Sequence, residues 1–192
     1  MNPDRSAIRI PHAATAEHGA VFHLTQPWAP QPEARFRPGT VRLAWSGDAL
    51  LVLADLQDDE VRTSAAADNQ RLWELGDVFE IFLQVEGSGA YTELHVAPNG
   101  VRMHLRFPEN LPVTPVGFPA SAKLTAGGWR VEAEVPADVC GLARFEAGRE
   151  LRVSFCRYDA GTDSPPVLST SAAHSAVSFH HPEDWPRAVL VI

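Results

Sequence analysis

The sequence has few of the residues that mark disulfide-stabilised or nucleic-acid-binding proteins. Only two of its 192 residues are cysteines, Cys140 and Cys156, so a disulfide framework is not expected. Lys123 is the only lysine, and 24 acidic residues stand against 16 basic ones, which gives a formal net charge of −8. A field of this sign disfavours contact with a phosphate backbone or an anionic membrane face. We therefore expect neither nucleic acid nor a membrane as a partner.

Long apolar segments are also missing from the sequence. No run approaches the roughly 18 residues that a membrane span needs. The first twenty residues contain no apolar stretch of about 7–15 residues, as a secretory signal would require, so the default expectation is a cytoplasmic protein. Hydrophobic residues nevertheless make up 45% of the chain, enough to bury a core. The length predicts one domain that spans residues 1–192.

Short segments that alternate between apolar and polar residues dominate the chain, and turn residues separate them. A strong hairpin signal joins 41–46 to 49–55 across a Gly-Asp pair. Further predicted strands cover 77–85, 91–97, 101–107, 121–126, 129–136, 151–159 and 187–192. Helices are expected only as short elements in 68–75 and 136–143. This pattern predicts an all-β fold, a two-sheet antiparallel β-sandwich of the jelly-roll or immunoglobulin-like kind.

The hairpin across the Glu-Gly-Ser-Gly turn has a register that the side chains predict. Matching apolar with apolar residues places Glu80 opposite His95 and Phe82 opposite Glu93, because a shift by one would mix core and polar positions. Directly opposed side chains lie about 4.5–5.5 Å apart at Cβ. Together with Tyr91, the polar members then form one polar and aromatic patch on a sheet face.

The hairpin that follows leaves two registers open. Matching its apolar faces would place Arg102, His104 and Arg106 beside Glu93 and His95. A Pro-Asn-Gly turn with a glycine bulge would shift the strand pairing by one residue. The three basic side chains would then lie on the opposite face of the sheet from Glu93 and His95.

A tryptophan just ahead of the first of these strands completes a candidate binding site. Trp73 could offer a flat apolar face, with Glu80 as a hydrogen-bond acceptor beside it. Sugars need both features, because their C–H faces stack on aromatic rings while their hydroxyls need charged or amide partners. The alternative is that Trp73 packs into the core and Glu80 is solvated.

The segment from Trp73 to Leu83 resembles the W-x-x-D-x-x-E-[IV]-F pattern of family 9 carbohydrate-binding modules and related DOMON-like β-sandwich domains. The spacing from tryptophan to glutamate is one residue longer here, with Gly76 as the insertion. Four further segments resemble family motifs in the same order: Tyr91 to Gly100, Trp129 to Pro136, Phe155 to Asp159, and Phe179 to Trp185. The resemblance thus extends over about 41–192.

This resemblance implies binding of a small carbohydrate or a sugar end without catalysis. Family members hold a sugar between two tryptophans and bind its hydroxyls with polar strand residues. Trp73 and Glu80 match the first tryptophan and the carboxylate, and Trp185 is the candidate second tryptophan. Glu93 and His95 occupy the region where the family has an arginine and an asparagine. The predicted ligand site is Trp73, Glu80, Tyr91, Glu93, His95, Arg157 and Trp185.

The same resemblance implies a structural calcium ion, since family members bind one. Asp55, Asp58 and Asp59 follow a predicted strand and offer the hard oxygen ligands that calcium prefers. The alternative is a solvated turn, and no other cofactor is expected.

Three alternatives remain open on the residues alone. A glycosidase would use Glu80 and Glu93 as a retaining pair, which needs a separation of roughly 5 Å. Some DOMON-like domains ligate haem through methionine and histidine, and the bulged register would bring Met103 to the face of His95. Arg157 could orient a ligand or form a structural bridge with the carboxylate of Asp159 two residues on.

Overall fold

The computed structural model describes residues 7–162 and 164–192, and within them thirteen strands form two packed sheets. The larger sheet contains β1 (Ile8–Pro11), β5 (Val78–Val85), β6 (Tyr91–Val96), β7 (Arg102–Phe107), β8 (Leu111–Pro112), β11 (Glu150–Asp159), β12 (Val167–Thr170) and β13 (Arg187–Val191). The smaller sheet contains β2 (Ala20–Leu24), β3 (Gly39–Ser46), β4 (Ala49–Gln57), β9 (Ala120–Thr125) and β10 (Gly128–Pro136).

The strand order confirms the predicted antiparallel β-sandwich. The larger sheet runs β1-β13-β11-β5-β6-β7-β8 with β12 paired to β11, and the smaller runs β2-β3-β4-β10-β9. Neighbours are antiparallel except β1 and β13, which pair in parallel. The described helices are single 3₁₀ turns at Ala16–His18, Leu72–Glu74, Ala137–Cys140 and Pro182–Asp184. Within the described ranges, none of them has the length and apolar character to cross a membrane.

The main core lies between the two sheets. Period-two alternation turns every second residue of each strand inward, and these inward residues are almost all aliphatic or aromatic. Examples with 0% exposure are Val41, Leu43, Phe79, Ile81, Leu94, Val96, Val153 and Phe155. Burying one such side chain contributes about 1.5–3 kcal/mol relative to leaving it in water, so this layer holds the two sheets together.

The β5–β6 hairpin has the predicted register. Phe79 faces Val96, and Glu80 faces His95. The apolar pairs fill the core, while the polar pair lies on the outer face of the larger sheet. The burial of one face is what makes a one-residue slip costly.

The β6–β7 hairpin adopts the bulged register of the two that the sequence left open. Glu93 faces Leu105 and His95 faces Met103, with Gly100 at a φ of 82° in the turn. That backbone conformation suits glycine, which has no Cβ to clash. The basic residues of β7 therefore lie on the opposite face from the acidic patch: Arg102, His104 and Arg106.

The segment 171–186 crosses the outer face of the larger sheet before β13 begins. It carries Phe179 and Trp185, which pack against Phe82 and Cys156 in a second apolar cluster. One end of the sheet face is thereby covered, and the part beside β6 and β7 remains open.

Candidate functional site

A cleft of about 490 Å³ opens on the outer face of the larger sheet, beside the segment 171–186. This volume falls in the range of roughly 300–1,000 Å³ that is typical of small-molecule sites. Glu80 and Glu93 supply its acidic groups. Its aromatic walls include Trp73, Tyr91, Phe107, Tyr158 and Phe179.

Trp73 reaches the cleft from a single 3₁₀ turn. Leu72, its neighbour, is 1% exposed and anchors this turn in a small apolar cluster. The Trp73 ring is half-buried and meets the His95 ring edge-on, with centroids 5.5 Å apart and an interplanar angle of 71°. The structure therefore brings Trp73 to the patch as predicted, with part of its ring accessible from the cleft.

Gly76, the residue inserted in the tryptophan-to-glutamate spacing, allows this turn to pack closely on a neighbouring segment. Its φ is 146°, and a Cβ at this position would lie 2.3 Å from the carbonyl oxygen of Arg62. At this point Gly76 and Thr63 form an isolated antiparallel β-bridge. The Asp77 amide donates a hydrogen bond to the Arg62 carbonyl oxygen at 2.8 Å. A side chain would force this contact apart, so the position favours glycine.

Glu80, Glu93 and His95 form a buried acid–histidine cluster at the floor of the cleft. His95 Nε2 lies 2.6 Å from Glu93 Oε1 and 3.4 Å from Glu80 Oε1. The three residues are at most 4% exposed. Alternation on β5 and β6 places all three on the same outer face, as the predicted register requires.

Three buried polar atoms of this cluster lack a hydrogen-bond partner among the described residues: Glu80 Oε2, Glu93 Oε2 and His95 Nδ1. An unsatisfied buried polar group costs about 1–3 kcal/mol, so such groups call for an explanation. Two of the three atoms are carboxylate oxygens of residues that line the cleft. Glu80 and Glu93 therefore each bring an unpartnered carboxyl oxygen to the site.

The cluster also shifts the protonation of its members. Burial raises the pKa of Glu80 to about 8, with a smaller lowering by His95 and a smaller raising by Glu93. Burial alone would lower the pKa of His95, but the Glu80 and Glu93 carboxylates outweigh it and raise that pKa. Glu80 thus favours its protonated form at neutral pH.

Tyr91 connects the sheet to the wall formed by segment 171–186. Its hydroxyl lies 2.9 Å from Nδ1 of His180, and its ring stacks on Phe107 with centroids 4.5 Å apart. The His180 Nε2 is 4.0 Å from Oε2 of Glu93, beyond hydrogen-bond distance. Burial, followed by the Glu93 charge, raises the pKa of Tyr91 to about 12, so its hydroxyl stays protonated.

The structure corrects the prediction for Trp185. This residue is 2% exposed and does not line the cleft. Its ring packs against Phe82 and Tyr91 at centroid distances of 5.4 and 5.2 Å, and its Nε1 donates to the Phe179 carbonyl at 2.9 Å. Trp185 therefore supports the cleft wall from below and offers no second stacking face to a ligand.

Arg157 also lies outside the cleft. Cys156 and Tyr158 occupy the outer face of β11, so alternation directs Arg157 to the inner face, where its side chain is 1% exposed. Its Nη2 lies 2.7 Å from Asp58 Oδ2 and 3.2 Å from Asp159 Oδ2. The structural-bridge alternative is therefore the one observed.

The predicted calcium ligands do not converge on one point. The Asp55 carboxylate accepts from Arg130 Nε at 2.7 Å, and the Asp59 carboxylate accepts from Arg37 Nε at 2.8 Å. Asp58 is bound by a different guanidinium again, that of Arg157. Each carboxylate is thus neutralised by its own arginine, and the three residues do not fit a calcium ion.

Three other aspartates do approach one another. Carboxylate oxygens of Asp58, Asp77 and Asp159 lie within 4.8 Å of each other. The guanidinium of Arg157 bonds two of them, and Asp77 accepts from the Ala160 amide at 2.7 Å. Burial raises the pKa of Asp77 to about 6. These contacts give the set the chemistry of a structural ion-pair network rather than an open oxygen cage.

Several residues of the cleft were not predicted from the sequence, and Met103, the candidate ligand of the haem alternative, does not line the cleft. Met103 shares the face of His95 but packs with Ala65 and Leu72 in an apolar cluster, outside the cleft lining. The cleft lining instead includes Leu105, Phe107, Tyr158, Phe179 and His180. For the strand residues, period-two alternation from Glu93 and Glu80 was the available signal.

Comparisons with known proteins give the fold a context. No curated protein matches the chain at a significant level. A putative carbohydrate-binding protein from Bacteroides uniformis is similar in structure, with a TM-score of 0.74, 16% identity, and 96% of this chain and 97% of that chain covered. A family 9 carbohydrate-binding module from Caldicellulosiruptor kristjanssonii in complex with cellotriose has a TM-score of 0.68, 17% identity, and coverage of 96% and 93%.

The same comparison finds a family 9 module from Caldicellulosiruptor kristjanssonii in complex with glucose, with a TM-score of 0.66, 19% identity and coverage of 95% of each chain. At these identities the likeness concerns the fold. The family itself is shown by a sequence model described as carbohydrate family 9 binding domain-like, which matches residues 16–192. The chain therefore belongs to the carbohydrate family 9 binding domain-like family.

Proposed function

We propose that this protein is a non-catalytic domain that binds a small carbohydrate, or the end of a longer one, in the cleft beside Trp73. The observation that carries the proposal is the convergence of a half-buried indole ring with free carboxylate oxygens of Glu80 and Glu93 at one cleft. Membership of a carbohydrate-binding family supports the same ligand class.

The physical basis is the amphipathic character of a sugar ring. One face of the ring carries C–H groups that pack on an aromatic surface, and Trp73, Phe107 and Tyr158 provide such surface around the cleft. The hydroxyls need acceptors, and a hydrogen bond to a charged group contributes about 1.5–3 kcal/mol. The unpartnered oxygen of Glu93 meets that need, and the protonated carboxyl group of Glu80 can donate to a hydroxyl oxygen.

The structure favours binding over hydrolysis at these carboxylates. A retaining glycosidase needs two independent carboxyl groups that flank the scissile bond, roughly 5 Å apart. Here His95 Nε2 contacts an oxygen of both, at 2.6 Å for Glu93 and 3.4 Å for Glu80. The same histidine nitrogen is hydrogen-bonded to Glu93 and lies close to Glu80, an arrangement that suits recognition.

Isothermal titration calorimetry against a panel of mono- and disaccharides tests the proposal. The panel should include glucose and cellotriose, because family 9 modules of the same fold hold these sugars. We expect saturable heat with at least one sugar and loss of that heat in Trp73→Ala. Leu124→Ala is the matched control, since Leu124 is 63% exposed on the smaller sheet. No heat with any sugar, or unchanged binding in Trp73→Ala, would contradict the proposal.

A further inference from the structure

The floor of the cleft holds two carboxyl oxygens that lack a partner among the described residues. These oxygens, Glu80 Oε2 and Glu93 Oε2, are buried and belong to residues that line the cleft. Among the described residues, neither arginine nor lysine lines the cleft. His95 already directs its Nε2 to the other oxygens of both carboxylates, and His180 Nε2 stays 4.0 Å from Glu93 Oε2. Satisfying the Glu93 oxygen, and the Glu80 oxygen once that group is ionised, therefore calls for donors from a ligand.

The spacing of the carboxylates suits a donor that carries several hydrogens on one atom. An oxygen of Glu80 and an oxygen of Glu93 lie within 4.8 Å of each other. Charge-assisted N–H···O bonds span about 2.7–2.9 Å, so one nitrogen can come close to an oxygen of each carboxyl group, as His95 Nε2 does at 3.4 and 2.6 Å. A hydroxyl has a single donor and serves one of them, whereas an ammonium group has three.

The surroundings favour a cation over a neutral donor. Glu80 is protonated in the empty cleft, but a cation placed against the two buried carboxyl groups favours their ionised forms, and the chain as a whole is acidic. Aromatic rings of Trp73, Tyr158 and Phe107 border the same space. Aromatic faces attract ammonium groups within about 6 Å of the ring centroid.

We infer that the ligand is an amino sugar, and that its protonated amine binds between Glu80 and Glu93 while its ring packs against the aromatic walls. This inference rests on the proposed carbohydrate-binding function and specifies the chemical class of the sugar. The raised pKa of Glu80 adds a signature, because the ammonium favours the ionised carboxylate and binding then releases a proton.

A divalent metal is the competing cation, and the geometry disfavours it. His95 Nε2 is at hydrogen-bond distance from Glu93 Oε1, 2.6 Å, whereas a zinc ion that bound both atoms at roughly 2.0–2.2 Å would push them further apart. A metal-bound histidine also needs an acceptor for its second ring nitrogen. His95 Nδ1 has none among the described residues.

The decisive experiment compares sugars that differ only in the amine. Calorimetry of the whole protein with glucosamine, 6-amino-6-deoxyglucose, glucose and N-acetylglucosamine separates charge from shape. We expect at least one amino sugar to bind about tenfold more tightly than glucose and N-acetylglucosamine, the size of one charge-assisted hydrogen bond. Repeating the titration in buffers of different ionisation heat should show protons released on binding.

Glu93→Gln should abolish most of this preference, and Glu132→Gln should leave it intact, because Glu132 is exposed on the smaller sheet. Equal affinity for amino and neutral sugars would overturn the inference and leave the proposed function standing. Absence of binding by every sugar would overturn both. Stoichiometric binding of zinc chloride, with sugar binding abolished by a chelator, would also overturn the amine assignment.

Discussion

The Nε2 atom of His95 lies 2.6 Å from Oε1 of Glu93, and this contact orients the carboxylate that borders the cleft. With one oxygen bound to the histidine, Oε2 is left free. Glu80 sits 3.4 Å from the same nitrogen and has the same arrangement of one contacting and one free oxygen. His95 is thus a positioning residue for two carboxyl groups that belong to the cleft lining.

Replacing His95 by leucine should destabilise the protein by about 3–5 kcal/mol, because it leaves the buried carboxylate of Glu93 without its hydrogen-bond partner. The loss should shrink in acid, where the carboxylates become protonated. Urea unfolding at several pH values measures it. His23→Leu is the control, since His23 is exposed on β2 and its replacement should change little. An equal loss at all pH values would show that lost packing, rather than unpaired charge, is responsible.

Glu80 should make the stability of the fold depend on pH. Its pKa rises from an ordinary 4.5 to about 8 on folding, so the folded state holds this proton more tightly than the unfolded state. The resulting stability is complete below about pH 4.5 and is lost as the pH rises towards about 8. The raised pKa of His95 acts in the same direction. Titratable groups facing Glu80 are Glu93, His95, Cys156 and Tyr158.

Glu80→Gln is the test, because glutamine resembles the protonated acid. The free energy of unfolding of the wild type should fall between about pH 5 and pH 8 by at least about 1.4 kcal/mol, the equivalent of one pKa unit. The variant should show a smaller fall, and Glu132→Gln should follow the wild type. A variant with the full wild-type slope would mean that other groups, such as Asp77, produce it.

Several features of the site were predictable because they depend on neighbours in sequence. The β5–β6 register follows from side-chain alternation over a few residues, and this alternation alone predicts that Glu80 faces His95, as it does. The burial of Trp185 depends on how segment 171–186 lies across β5, which is about a hundred residues earlier in the chain. There the Trp185 ring packs against Phe82. No local pattern encodes that contact.

The charged residues show the same limit. Alternation predicted that Arg157 and Asp159 share a face, and they do form an ion pair. It could not show that this face is the interior, where Asp58 approaches from the end of β4. Similarly, spacing grouped Asp55 with Asp59, but Asp55 binds Arg130 on β10 and Asp59 binds Arg37 in the segment before β3. The pairing of acidic with basic side chains therefore depends on how the two sheets and their connecting segments pack.

Tyr91→Phe should weaken ligand binding more than it weakens the fold. The change removes the 2.9 Å hydrogen bond to His180 but keeps the stack on Phe107. A hydrogen bond of this kind contributes about 0.5–1.5 kcal/mol to stability. Thermal unfolding should therefore change little, while calorimetry should show a several-fold loss of sugar affinity as the wall loosens. Unchanged affinity would mean that His180 is held in place without Tyr91.

Gly76→Ala should damage both the fold and the site. At a φ of 146°, with a new Cβ 2.3 Å from the Arg62 carbonyl oxygen, the turn that carries Trp73 must move. Strain of this type costs about 1–3 kcal/mol, so a lower unfolding midpoint and weaker sugar binding are expected together. Gly127→Ala is the matched control, because a Cβ there meets nothing within 4 Å. Retained affinity in Gly76→Ala would show that the turn tolerates the shift.

Truncation of Trp185 should mainly reduce stability, whereas truncation of Trp73 should mainly reduce sugar binding. Trp185 is 2% exposed and fills the space between Phe82 and Tyr91, so Trp185→Ala leaves a cavity and should cost about 3–5 kcal/mol. Trp73→Ala removes a half-buried ring and should cost less stability, while it abolishes the stacking surface. Chemical unfolding measures the first effect and calorimetry the second. If both variants lost equal stability, Trp73 would be a packing residue and the sugar would need another stacking surface.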